Sequence, residues 1–163
     1  MARLKQRYES EGFFGIGIHN SQEEFNIGTL WRSAYIFGAS FIFTIDKKYK
    51  KQASDVTCAW TKIPLYNYPT FEAFRDNLPY AAQLIGVELC DSAVPLAEFE
   101  HPSRAIYLLG NESSGLQGDV LSSCSSVVSL PGQFSLNVAV AGSIIAFDRL
   151  NKIGGRVPSR ATG

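Results

Sequence analysis

Apolar residues in this chain fall into short unbroken runs, separated by stretches where they recur at helical spacing. "FFGIGI" at 13–18 is aromatic and β-branched and is closed off by His19-Asn20, which predicts a buried strand. From Asn26 onward, Ile27, Leu30, Trp31, Ala34 and Phe37 recur every three or four residues, which predicts a helix with Gly38 as its C-terminal cap. Further strands are expected at 41–45, 63–68, 84–89, 105–110 and 126–130. Further helices are expected at 70–78, with Thr70 as cap, at 115–123 and at 136–150. Pro64 confines the 63–68 strand to a sheet edge.

Strands and helices alternate, and the strands are apolar throughout rather than on every second residue. That is the signature of an α/β fold, a mostly parallel sheet flanked by helices on both faces. Such sheets bind ligands beyond the carboxyl ends of their strands, so the residues that follow strands are where chemistry is sought.

Composition narrows the picture. At 163 residues the chain is expected to form one domain over 1–163, with a core at about 13–150 and basic tails at both ends. A hydrophobic content of 45% excludes a disordered chain, and no apolar run approaches the roughly 20 residues of a membrane span. The opening "MARLKQRYESEGFFGIGI" does not read as a secretory signal, so a cytoplasmic location is expected. Cys58, Cys90 and Cys124 are odd in number and far apart, which suits reduced thiols rather than a disulfide framework or a zinc site. His19 and His101 lack neighbours at metal-ligand spacing and read as ordinary residues; no metal is expected.

Net charge is zero, but it is unevenly spread. Arg3, Lys5 and Arg7, then Lys47, Lys48, Lys50 and Lys51, then Arg149, Lys152, Arg156 and Arg160 hold eleven of the fifteen basic residues. A fold that brings both termini and the lysine run together would have a basic side suited to nucleic acid. Solvated charges that serve only solubility are the plainer explanation.

Three stretches carry candidate chemistry. "LLGNESSGL" at 108–116 follows a strand, and its Gly110 would let backbone approach a ligand. It lacks the Gly-Lys-Ser/Thr ending of a P-loop, and "GFFGIG" does not match a dinucleotide fingerprint. In "FNIGTLWR" at 25–32, Asn26 reads as a possible helix cap, and Arg32 as either a snorkelling side chain or a guanidinium held near the sheet. In "LPGQFSLNVAVAGSIIAFD" at 130–148, Ser135 and Asn137 open a helix rich in small residues: Ala139, Ala141, Gly142, Ser143 and Ala146. Those small residues suit close packing, either on the chain's own sheet or against a second subunit.

Together, Asn-x-Gly-x-x-x-Arg, Gly-x-Glu-x-x-Gly-Leu and Pro…Ser-Leu-Asn-Val occur in that order and resemble the three motifs of the SpoU/TrmH branch of the SPOUT superfamily. The resemblance implies a sheet whose carboxyl-terminal part is threaded into a trefoil knot. It implies S-adenosyl-L-methionine as cofactor and methylation of an RNA ribose 2′-hydroxyl, with tRNA ahead of rRNA as substrate. It also implies a homodimer that packs through the last helix. The family's catalytic and substrate positions fall on Asn26, Arg32, Glu112, Ser135 and Asn137, and its cofactor contacts on Val87, Gly110, Leu130 and Leu136. The "PGQF" loop before Ser135 is shorter than the family's usual loop, which affects the methionine end of the pocket. The alternative is a catalytically inactive RNA- or cofactor-binding module of the same fold.

Overall fold

The computed structural model describes residues 12–47 and 58–158. Seven strands form one sheet: β1 (Phe13–His19), β2 (Phe41–Ile45), β3 (Leu65–Tyr68), β4 (Gln83–Val87), β5 (Val94–Pro95), β6 (Arg104–Leu109) and β7 (Ser126–Ser129). They lie in the order β3-β2-β1-β6-β4-β7-β5, and every neighbouring pair is parallel. Among the described residues four α-helices flank them, three between strands and one after the last: α1 (Glu24–Ile36), α2 (Phe71–Asp76), α3 (Gly118–Ser123) and α4 (Val138–Ile153). The expected parallel α/β fold is the observed one.

Both sheet faces are covered, which is why the strands are apolar throughout. On β6, Ala105, Tyr107 and Leu109 pack with α1 and α4, while Ile106 and Leu108 pack with α2 and α3. The glycines of "FFGIGI" serve the second face. A Cβ at Gly15 would meet the Phe41 ring at 2.4 Å, and one at Gly17 would meet the Phe43 carbonyl at 2.2 Å. Their absence of side chain makes room for an aromatic layer in which Phe43 stacks on Phe74 with centroids 4.6 Å apart. Both sheet edges are blunted: β3 is preceded by Pro64, and β5 is two residues long and contains Pro95.

Some local expectations change. Thr70 caps α2 as expected, accepting from the Ala73 amide at 3.1 Å. Asn26 does not cap α1, because that helix starts at Glu24 and Asn26 lies inside its first turn. The helix expected at 115–123 begins only at Gly118, since Gly115 has φ +62° and Gln117 is extended. Nothing in the periodicity marked β5, which is too short to show a period.

Two expectations about the carboxyl-terminal helix are corrected. Its small residues pack inward: Ala139, Ala141 and Ala146 are buried, and a Cβ at Gly142 would lie 2.4 Å from Leu30 Cδ1 on α1. They fit α4 to its own chain, not to a second subunit. The face left open carries Val140, Ile144 and Phe147 instead. Arg149 does not belong to a basic surface either, and the exposed Lys152 is charge-paired. Arg149 is 4% exposed and donates to the Pro102 and Ser103 carbonyls and the Tyr107 hydroxyl. Lys152 pairs with Asp148 at 2.8 Å and donates to the Leu96 and Phe99 carbonyls.

His101 completes this network, bridging the Tyr107 hydroxyl at 2.6 Å and the Asp148 carboxylate at 2.8 Å. Asp148 can only accept when ionised, so Nε2–H donates to it and Nδ1 accepts from Tyr107. Burial lowers the His101 pKa despite the pull of Asp148, and burial pushes the Tyr107 phenol up to about 12. Arg3, Lys5, Arg7, Lys48, Lys50, Lys51 and Arg160, the other members of the expected basic face apart from Lys47 and Arg156, lie outside the described residues. Among the described residues no helix is long and apolar enough to cross a membrane, and no group of three or more His, Cys, Asp and Glu could hold a metal ion.

Candidate functional site

Three neighbouring strands, β6, β4 and β7, end at one cavity of about 290 Å³. Its lining comes from the last residues of these strands and the segments after them: Val87 to Leu89, Leu109 to Gly115, and Leu130 with Phe134 to Leu136. The start of α4 closes it with Val138 and Ala141. A parallel sheet delivers all three segments to the same rim, the geometry expected of a ligand site in this fold class.

Apolar side chains form one wall, from Val87, Leu109, Leu130, Leu136 and Val138, and polar groups of Glu88 and Asn111 to Ser114 form the rim. The loop 110–115 folds tightly on itself. Asn111 Oδ1 accepts the amides of Ser113 and Ser114 at 2.9 and 2.8 Å, and Gly115 adopts φ +62°. A Cβ on Gly110 would lie 2.2 Å from the Gly115 carbonyl carbon, so that turn requires glycine. The cavity thus pairs an apolar lining with a few convergent polar groups, the composition of a small-molecule site. The short loop at 131–134 leaves Phe134 85% exposed at the cavity mouth.

Glu112 joins this loop to α1. Its carboxylate accepts from Asn26 Nδ2 at 2.6 Å, from the Gln22 amide at 3.1 Å and from Ser21 Oγ at 3.4 Å. Burial alone would raise its pKa, but these hydrogen bonds outweigh it and hold the carboxyl below its ordinary value. Near neutrality Glu112 is therefore an acceptor and not a proton donor. The chain of bonds continues, as Asn137 Nδ2 donates to Asn26 Oδ1 at 2.9 Å. Asn137 Oδ1 meanwhile caps α4, accepting the Ala139 and Val140 amides at 2.9 and 3.2 Å. Asn26 is 2% exposed, so each of its amide groups needs the partner it has.

The structure thus gathers Asn26, Glu112 and Asn137 into one hydrogen-bonded row. It places Ser135, Val87, Gly110, Leu130 and Leu136 on the cavity wall. Arg32 stands apart: it is exposed and is not among the lining residues. At about 100° per residue it lies about 120° around α1 from Asn26, opposite the stripe of Ile27, Leu30, Trp31 and Ala34 that meets the sheet. It shares the outer face with Phe25 and Ile36, both exposed.

Glu88 was not anticipated. Its Oε1 accepts the Leu89 amide at 2.9 Å and its Oε2 accepts the Leu116 amide at 2.7 Å, clipping the end of β4 to the turn at Gly115. Its place directly after the 84–87 apolar run was the available signal. Ser21 and Gln22, which meet Glu112, lie in a polar loop that carries no pattern of its own.

A model of the SpoU rRNA Methylase family matches residues 14–147. The chain is 25% identical over 137 residues to the mouse (Mus musculus) protein TARBP1, a tRNA (guanosine(18)-2′-O)-methyltransferase. That match covers 76% of this chain and spans 8% of the relative's length. Among solved structures, the A. aeolicus TrmH/SpoU tRNA modifying enzyme superposes with a TM-score of 0.76 at 19% identity, over 99% of this chain and 89% of that one. AviRb, the SpoU methyltransferase of Streptomyces viridochromogenes, in complex with AdoMet superposes with a TM-score of 0.75 at 23% identity, over 87% of this chain and 61% of that one. AdoMet-bound rRNA methyltransferase from Sinorhizobium meliloti gives 0.75 at 22% identity, over 86% of this chain and 57% of that one.

Proposed function

Because the chain belongs to the SpoU rRNA Methylase family, we propose that it transfers a methyl group from S-adenosylmethionine to a ribose 2′-hydroxyl of RNA. The observation that carries this reading is the convergence of two distant motif segments, 108–116 and 130–148, on one cavity, with Asn26 of the third tied to them by the row Glu112–Asn26–Asn137. S-adenosylmethionine, when bound, supplies a methyl already activated on a sulfonium. What remains for the protein is to orient, to exclude water and to stabilise charge.

Val87, Leu130 and Leu136 would hold the adenine against the apolar wall, with Gly110 admitting close backbone approach. Asn26 and Asn137 fix each other's amides, so the polar rim keeps its register. Glu112, held ionised, keeps the Asn26 amide turned one way. The Ser135 hydroxyl, on the cavity wall, would orient the ribose. Arg32 would grip the phosphate beside the target ribose and stabilise charge growing on the 2′-oxygen. Since it lies outside its own chain's cavity, it would serve the cavity of a second copy in a homodimer. The exposed Val140, Ile144 and Phe147 on α4 and Phe25 and Ile36 on α1 suit that contact. A trefoil path for the carboxyl-terminal segment belongs to the same reading, supported by the start of α4 lying against the ends of β6, β4 and β7.

tRNA is the favoured substrate, since both the mouse relative and the A. aeolicus neighbour are described as acting on tRNA. Lys47 supports an RNA-facing rim: it is exposed and donates to the Gln22 carbonyl at 3.2 Å, next to the Glu112 row. The test is transfer of labelled methyl from S-adenosylmethionine to tRNA and rRNA fractions, followed by mass mapping of ribose methylation. Label in a 2′-O-methyl nucleotide of tRNA is the expected result. Binding of RNA and S-adenosylhomocysteine with no transfer would instead identify an inactive binding module.

A further inference from the structure

We infer that Glu88 is a ligand-binding residue of this cavity, whose carboxylate receives the vicinal ribose hydroxyls of the methyl donor. The inference rests on the reading that this cavity holds that donor. Each Glu88 oxygen already accepts one backbone amide, Leu89 N–H on Oε1 and Leu116 N–H on Oε2. An ionised carboxylate offers about four acceptor positions, so one on each oxygen remains. Two remaining acceptors on one rigid, planar group match two hydroxyls on adjacent carbons. Glu88 also lines the cavity and follows β4 by one residue, next to the glycine-bearing turn after β6. A carboxylate at the strand ends of a parallel sheet, beside such a turn, is a recurrent acceptor for ribose hydroxyls.

The surrounding backbone is shaped around this carboxylate. A Cβ at Gly115 would lie 2.2 Å from Glu88 Oε2, and Gly115 has φ +62°. Only glycine permits both the turn and the approach of the carboxylate to the Leu116 amide. The two amide bonds fix the carboxylate plane before any ligand arrives, so little ordering remains to be done on binding.

The test is calorimetric titration of the full chain with S-adenosylhomocysteine, its 2′,3′-dideoxy analogue and 5′-methylthioadenosine. For the wild type, loss of both hydroxyls is expected to weaken binding by about tenfold or more, the scale of hydrogen bonds to a charged group. In Glu88→Gln the amide nitrogen replaces one acceptor, and the same pair of ligands should differ by less than about threefold. Each variant is compared with itself, so a general loosening of the turn cancels. In the wild type alone, the Leu89 and Leu116 amide resonances should shift with the ribose ligand and not with the dideoxy one, a readout that survives if Glu88→Gln fails to fold. Equal hydroxyl dependence in wild type and variant would overturn the inference. So would a Glu88 dependence that follows the amino-acid tail absent from 5′-methylthioadenosine. Absence of any S-adenosylhomocysteine binding to the wild type would instead remove the reading on which the inference stands.

Discussion

Asn26 shows how one side chain can be read two ways from sequence and be settled by its neighbours. At the sequence level it is a plausible cap; in the fold it lies inside α1, buried between Glu112 and Asn137. Replacing Asn26 with Ala removes the link between the Glu112 carboxylate and the Asn137 amide, so methyl transfer should fall by about 100-fold or more. Initial rates at saturating RNA and cofactor measure this. Glu112→Gln carries a pH signature. The depressed Glu112 pKa contributes stability that is present above the ordinary carboxylate range and is lost as pH falls through the depressed value. Melting temperatures of wild type and Glu112→Gln should therefore converge in acid. Arg32→Lys keeps the charge and loses the planar fork, and its activity should drop by at least about tenfold. Near-full activity would rule out a bidentate grip.

The helices show what periodicity can and cannot tell. The stripe of Ile27, Leu30, Trp31 and Ala34 was legible because burial on one side leaves a 3.6-residue trace. The role of the small residues on α4 was not, because a stripe of alanine and glycine looks alike whether it meets its own sheet or another chain. Gly142 settles it. Alanine there would gain about 1 kcal/mol of helix propensity but push into Leu30, and overpacking costs about 1–3 kcal/mol. A net loss of stability is expected for Gly142→Ala by chemical denaturation, larger for Gly142→Val. Likewise β5 and the late start of α3 arise from tertiary pairing and a single left-handed glycine, neither of which has a period. The tie between α4 and the turn before β6 is also pH-dependent. Burial depresses the His101 pKa from its ordinary 6.5, so its stabilisation is complete above that value and is lost as pH falls through the depressed one. Melting followed from pH 8 to 5 should show this slope in the wild type and not in His101→Gln.

Taken whole, the molecule sorts its basic residues differently from a linear count. In the sequence Arg149 belongs to the carboxyl-terminal basic cluster, yet in the fold it is a buried strut against Tyr107 and Phe14. Arg149→Ala should lower the melting temperature and leave the salt dependence of RNA binding unchanged, whereas Lys47→Ala should do the reverse. The ends of β6, β4 and β7 were legible as a site because fold class dictates where ligands bind. The outward aim of Arg32 was not, because helix position alone does not say which neighbour a face will meet. The parallel sheet has one more effect. Since its strands all leave in the same direction, the helix that follows the last of them, α4, begins at the cavity and presents its positive dipole end there, about half a unit charge. That helix end sets a positive pole against the Glu88 and Glu112 carboxylates that line the same cavity, a local charge pattern that a net charge of zero does not reveal.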